Sequence, residues 1–447
     1  MRPPIESASF WLATRRDHNR HPRLEENCEA DIAIIGAGFT GLWTAHFLKQ
    51  LEPKLEIVVL EQGVAGHGGS GRNAGIVSAS VDHSHALAIA HFGRAEAGKL
   101  ARLGLQNIDE LAAFASDCDF ERTGQLLVAL TAAQVDECRR FVTIAHDLGL
   151  GGHRFLSADE TRCEIDSPLY HGASFAPGGG IIDPIKLVDK LMRGVRLFER
   201  TNVLGVGAGV VRTEGGTVAA RQIILATNAY SHLLFPQLAR RFIPLYDYIL
   251  VSEPLTQAQR LTIGWQNRQG VTDGRTFFNY YRLTPDDRIL WGTSEAVYYP
   301  PNRVDESCDH SERHYATLRE SFRRHFPQLA NLAFPFAWGG PIASTTRLTP
   351  FFGSLNRGRV LYGLGYTGHG IGSTRLAGKI LAHMALARSH ELLKLAMVRR
   401  KPFPYPPEPL RRLAVNAVTN ALQRVDMGSK PSMLLRILDA LGIGFSS

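Results

Sequence analysis

Two short apolar runs open the patterned part of the chain, Ile32-Ala33-Ile34-Ile35 and Ile57-Val58-Val59-Leu60. Runs of four apolar residues without polar alternation predict strands buried on both faces, as in a parallel sheet. Residues 39–51 between them carry helical periodicity, so the unit reads strand, helix, strand. Helical patterns at 94–116 and 132–148 flank a strand at 125–130. Asp183 followed by Pro184 predicts an N-cap and first helical residue, for a helix ending near Gly194. Short strands follow at 195–199, 203–206 and 218–225. From Phe242 the pattern changes to longer alternating strands at 245–251, 276–283 and 288–295, the last two joined by the turn Thr284-Pro285-Asp286-Asp287. Helices are expected at 312–324 and 373–388. The pattern predicts an α/β chain, α+β overall, with a Rossmann-like nucleotide unit and an antiparallel-sheet unit.

Composition adds little to that reading and excludes several classes. At 447 residues, 44% hydrophobic and 21% charged, the chain can bury the core of two domains. No apolar run is long enough to cross a bilayer, and the N-terminus lacks the apolar core of a signal peptide. Five cysteines are dispersed without a C-x-x-C pair, which predicts reduced thiols, a cytoplasmic location and no metal site. The net charge of +8 is spread along the chain, which argues against nucleic-acid binding. Residues 1–29 read as a polar arm anchored by Phe10-Trp11-Leu12. After a Pro-rich linker at 404–409, apolar residues repeat at helical spacing from Leu410 to Val425. A helix packed on its own domain and a helix lying on a membrane surface both fit that pattern.

The chemistry begins at Gly36, Gly38 and Gly41, spaced G-x-G-x-x-G between the first strand and its helix. Gly36 permits the tight turn, Gly38 lets backbone approach a pyrophosphate, and Gly41 lets helix and strand pack closely. Phe39 and Thr40 open the helix, whose N-terminus favours negative charge. Glu61, with Gln62 beside it, ends the second strand about twenty residues on. A carboxylate there binds ribose hydroxyls and repels a 2′-phosphate, which disfavours NADP. Two further glycine-rich loops follow. The first runs from His67 to Gly75 and offers Ser70, Arg72, Asn73 and Ala74; the second runs from Gly363 to Gly372 and opens another helix.

These loops, in this order, resemble the FAD-dependent glycine/D-amino-acid oxidase superfamily, and most closely its γ-glutamylputrescine oxidase-like branch. The matching stretches are 32–61, 70–75, Ala226-Thr227-Asn228-Ala229-Tyr230, 280–284 with 289–292, and 363–378. The resemblance implies a discontinuous FAD-binding domain (30–90, 171–240 and 335–400) and a substrate domain (91–170 and 241–334), with the arm at 1–29 and a C-terminal segment at 401–447. It implies that Gly36, Gly38 and Gly41 hold the FAD pyrophosphate and Glu61 the adenosine ribose, with Val203 meeting the adenine by its backbone and Thr227 near the dinucleotide. It implies that Ser70, Arg72, Asn73 and Ala74 lie beside phosphates and isoalloxazine. Gly365, Tyr366, Thr367, Gly368, His369, Gly370 and Ile371 would face the pyrimidine end. Two departures carry expectations. No cysteine stands near Trp338 and no histidine at Asn73, so FAD is expected to be non-covalent. Leu290 takes the place of an oxygen-activating lysine, which leaves the acceptor open between O₂ and another oxidant.

The implied reaction is oxidation of an amine or amino-acid C–N bond, giving an imine that hydrolyses. An aromatic pocket would favour the neutral amine. Tyr246 and Tyr248, two apart on one strand, and Asn279 and Tyr281, likewise paired, are the expected walls. Trp338, Tyr366 and His369 join them by position, and Arg282 is expected to point outward from the sheet. Two rivals stand beside this reading: a flavin monooxygenase, and a non-catalytic FAD-binding subunit. The absence of an acid in Leu361-Tyr362-Gly363-Leu364-Gly365 counts against the first.

Overall fold

The structure is a computed structural model describing residues 4–16 and 21–443. Its first sheet runs in the order Phe351–Leu355, Val360–Leu364, Thr217–Leu225, Cys28–Ile35, Ile57–Leu60, Arg196–Phe198. All neighbours from Val360–Leu364 onward pair parallel, with Ile34 beside Ile224 on one side and Val59 on the other. The two apolar runs are therefore interior strands covered on both faces, as their lack of alternation requires. A hairpin of Val203–Gly207 and Val210–Thr213 extends from Thr217–Leu225. The helices Phe39–Leu51 and Gly370–Ala385 pack side by side against this sheet, and Gly378 leaves the space that Trp43 fills.

The second sheet has the order Phe336–Ser344, Ile243–Val251, Ile289–Tyr298, Asn279–Leu283, Gly270–Asp273, Gln125–Ala129, Gly172–Ala176, Arg154–Ser157. Only the Gly270–Asp273 and Gln125–Ala129 pair is parallel. The strands Gly172–Ala176 and Phe336–Ser344 pair into this sheet, so the expected boundaries at 171 and 335 put them on the other side. The outer face of the sheet packs on the helix Glu312–His325. There Tyr246, Tyr248, Tyr281 and Trp291 meet Phe322 and Phe326 in one core. The inner face turns toward the nucleotide unit.

Asp183 caps the helix Pro184–Leu191 by accepting from the amides of Ile185 and Lys186. The N-terminal arm packs under the first glycine loop. Its Trp11 indole donates to the Asn73 carbonyl at 2.8 Å and its Ser9 hydroxyl to the Gly71 carbonyl at 2.6 Å. At the other end, the helices Leu410–Asp426 and Met433–Ala440 lie over the open end of the second sheet. The Asp426 carboxylate accepts from the amides of Thr276 (2.7 Å) and Phe277 (3.0 Å). The clasp ties the helix to its own chain, Val415, Val418 and Leu422 line the cavity beneath it, and Leu410 and Leu413 stay exposed. No described helix is long and apolar enough to cross a membrane.

Candidate functional site

One cavity of about 1390 Å³ runs from the first glycine motif to the inner face of the second sheet and ends beneath the C-terminal helices. Its groove end is built from backbone. Gly36 adopts φ +105°, which glycine tolerates without strain. Gly41 touches Gly36 from the helix side, where a Cβ would collide with the Gly36 carbonyl. It packs the turn and does not line the cavity. Gly38 does line it, and a Cβ there would meet only the Ser70 side chain. The groove above Gly38 is thus open to a ligand. Phe39, Thr40 and Gln62 line the same groove, with Val203 at its far end.

Glu61 organises the groove. Its carboxylate accepts from the amides of Ala37 and Gly63, both at 2.9 Å. Burial raises its pKa above the ordinary carboxylate value, and those two amides oppose the rise. Ser70 accepts from the Phe39 amide at 2.9 Å, so it binds the first glycine loop to the helix N-terminus. Asn73 is spent within its own loop, donating to the carbonyls of Gly69 and Ser70 and accepting from Gly75. Ala74 lines the cavity beside it.

The second glycine loop closes the middle of the cavity with Tyr366, Thr367, Gly368, His369, Gly370 and Ile371. Gly365 stands behind them at φ +83°, its amide donating to the Asn228 side chain at 3.0 Å. Thr227, next to Asn228, lines the wall and bonds Ser231. Thr40 donates to the Tyr366 hydroxyl, which donates to the Gly363 carbonyl, both at 3.0 Å. This chain ties the two helix N-termini together across the cavity floor. The helix Gly370–Ala385 has no side-chain cap, so its first amides remain available to a ligand. These features fit FAD: an open glycine groove, a buried carboxylate at the end of the second strand and two helix N-termini on one cavity. FAD supplies a two-electron acceptor when bound. The groove around Gly38 and the two helix N-termini would hold and orient it.

Several expected site residues lie elsewhere. Tyr246, Tyr248 and Tyr281 belong to the outer core. Tyr248 stacks on His314 at 4.7 Å, and Tyr281 on Trp291 at 4.3 Å with its hydroxyl on Tyr170. Asn279 is buried, donating to the Gly292 carbonyl and accepting from Ser321. Trp338 is buried behind the first glycine loop, donating to the Arg72 carbonyl at 3.0 Å. Both faces of this sheet are covered, so aromatic alternation could not show which one meets the ligand. The face that does carries Leu245, Asp247, Ile249 and Tyr280. Arg282 shares it and is fully buried, contrary to the outward expectation. It donates to the carbonyls of Gly75 (2.9 Å) and Ile182 (2.7 Å) and braces the first glycine loop from below. Leu290, across from Arg282, is fully buried in the core with Val251 and Trp338.

The charged groups of the wall are mostly committed. Arg72 pairs with Asp309 at 2.8 Å and donates to the His67 carbonyl at 2.8 Å. His369 lies edge-on to His83 with centroids 4.6 Å apart, and burial lowers the pKa of both. His83, Tyr280 and Asp247 were not expected at the site. Asp247 alone left a signal, as the one acid in the otherwise apolar strand Ile243–Val251.

The sequence profile of the FAD dependent oxidoreductase family, DAO, matches residues 31–384. The chain is 29% identical over 411 residues to the gamma-glutamylputrescine oxidoreductase of Escherichia coli, covering 89% of this chain and 93% of that one. It is 28% identical over 403 residues to the probable oxidoreductase OrdL of Haemophilus influenzae, covering 86% and 89%. The crystal structure of glycine oxidase from Geobacillus kaustophilus superposes with a TM-score of 0.68 at 20% identity, over 83% of this chain and 99% of that one. With the glycine groove, the second helix N-terminus and the family profile falling on the same residues, the chain belongs to the DAO family of FAD-dependent oxidoreductases.

Proposed function

We propose that the protein oxidises the C–N bond of a small amine or amino acid, with bound FAD taking the electron pair and the resulting imine hydrolysing in solvent. The observation that carries this reading is the continuity of one cavity. It joins the dinucleotide groove to a wall of Tyr280, Phe278, Leu245 and Asp247. Such a wall can hold an amine against the cofactor and keep water away. The name of the Escherichia coli relative supports an amine substrate. The test is anaerobic mixing with a panel of amines and amino acids. Bleaching of the flavin absorbance by at least one of them is expected; an unchanged spectrum across the panel overturns the reading.

The FAD is non-covalent in this reading. No cysteine lines the cavity, all five are free thiols, and Asn73 is engaged in its own loop. Acid precipitation should release the yellow chromophore to the supernatant, and a yellow pellet would refute it. Reduced flavin should react with O₂ detectably but slowly. Superoxide formation gains from a nearby cation, yet Arg72 is neutralised by Asp309 and His369 is held toward its neutral form. Stopped-flow reoxidation in air-saturated buffer reads that rate. The unpaired thiols also support a reducing, cytoplasmic compartment, which cell fractionation would test.

A further inference from the structure

We propose that Asp247 is the substrate anchor of the cavity: it receives the ammonium group of an amine that bears no carboxylate on its reacting carbon. This deepens the amine-oxidation reading and rests on it for calling the ligand a substrate.

The position of Asp247 is specific. It sits where the pairing of Ile243–Val251 with Ile289–Tyr298 shifts register, between Tyr246 and Tyr248. Strand alternation gives Asp247 the cavity side, with Leu245 and Ile249, while its two tyrosine neighbours enter the outer core, and the extra residues of the partner strand bulge beside it. On the other edge it faces Gly340. Three residues further along that strand, the Ala343 carbonyl accepts from the Thr367 amide at 3.2 Å. Asp247 therefore belongs to the same stretch of wall as the second glycine loop, where a substrate must lie to reach the cofactor.

Its charge is unmatched. Only 9% of Asp247 is exposed. The Ala296 amide donates to its carboxylate, Glu295 repels it with the same sign, and no cation pairs with it among the described residues. Burial pushes its carboxyl up to about 8. The other buried acids of this half of the cavity have partners: Asp273 is bonded to Arg275 and Asp309 to Arg72. A buried carboxylate without a counter-ion destabilises the fold. A ligand ammonium would supply the missing charge within hydrogen-bonding reach.

The same inventory argues against an α-carboxylate on the substrate. No lysine lines the cavity among the described residues. Its arginine, Arg72, is already paired, His67 lies against the Glu6 carboxylate at 3.3 Å, and burial lowers the pKa of His83, His85, His153 and His369. An α-amino acid would bring its carboxylate into a wall with no free cation to receive it, close to an acid that repels it.

The test uses the yellow holoenzyme and two probes of the same shape. tert-Butylamine carries an ammonium but has no C–H on the carbon bearing nitrogen, so it cannot be oxidised. tert-Butanol is its neutral counterpart. Binding is read as a difference in flavin absorbance at pH 7.5. The wild type should bind the amine at least tenfold more tightly than the alcohol. Asp247→Asn should bring that preference below threefold with alcohol affinity and flavin content unchanged, and Asp247→Glu should retain it. A wild-type preference under tenfold, or an Asn variant that stays above threefold, overturns the proposal. Should the Asn variant fail to fold, Asp247→Ser carries the same comparison. These probes undergo no redox chemistry, so their result is independent of the bleaching panel. Ammonium selectivity without bleaching by any amine would retain the anchor and reject the oxidation reading; bleaching without selectivity would do the reverse.

Discussion

The two ends of the cavity offer a ligand different kinds of group. At the groove end the contacts are backbone: the turn at Gly36, the open surface over Gly38, and the amides beginning the helices Phe39–Leu51 and Gly370–Ala385. At the sheet end they are side chains on one face, Leu245, Asp247, Ile249 and Tyr280. The groove is pre-paid in geometry and tolerates almost no change in its glycines. The sheet face depends on which way each strand residue points, so a slip of one residue would exchange Asp247 for a tyrosine. A backbone-built site thus fixes the ligand's class, while a side-chain-built site is free to vary the substrate.

Substitutions should separate the two. The largest effect is expected from Gly41→Val. Its Cβ would collide with the Gly36 carbonyl and force the helix off the strand, so little or no folded protein should be recovered, as read by thermal unfolding. Gly38→Val should fold, because only the movable Ser70 side chain is near. It should nevertheless lose FAD affinity by about 100-fold or more, since the side chain stands where the pyrophosphate passes. A purified variant with full flavin content would contradict this.

At the other end, Asp247→Asn should stabilise the ligand-free protein at alkaline pH. The folded carboxyl titrates near 8 against an ordinary value of 3.8. Its contribution is therefore intact below pH 3.8 and is lost as pH rises toward 8. The melting-temperature gap in favour of the variant should be near zero at pH 4, widen with pH and level off above 8. The groups facing Asp247 from adjacent strands, Glu295 and Tyr280, are acidic or neutral and cannot reverse that sign. A gap independent of pH would mean that the carboxylate has a counter-ion.

The smallest effect compares neighbours on opposite faces. Tyr281→Phe removes one of the hydrogen bonds of the Tyr170 hydroxyl in the outer core and should cost about 1 kcal/mol of stability with KM unchanged. Tyr280→Phe should leave stability within about 0.5 kcal/mol and alter KM. Reversal of this pair would place the substrate on the outer face.

The sequence disclosed the groove because glycine spacing, strand length and a terminal acid are each local and each has a steric reason. The strand Ile57–Leu60 and the helix Phe39–Leu51 have the bounds that their patterns predict. The substrate face was less legible. Tyr246, Tyr248 and Tyr281 read as wall residues because aromatic alternation marks a covered face, and here both faces are covered. Short strands such as Arg154–Ser157 and Gly270–Asp273 escaped notice because four residues between turns carry too little periodicity. The buried Arg282 was misplaced for a related reason: its partners, the Gly75 and Ile182 carbonyls, come from distant segments.

The clasp between Asp426 and the amides of Thr276 and Phe277 has a thermodynamic consequence. Val415, Val418 and Leu422 are part of the cavity wall, so the closure of that helix and the occupancy of the cavity share one free energy. Whatever factor a bound molecule adds to the clasp's closing equilibrium, the closed clasp adds to that molecule's affinity. The C-terminal helix, which lies beyond the stretch matched by the family profile, is by this reciprocity coupled to the affinity of any molecule whose binding favours the closed clasp.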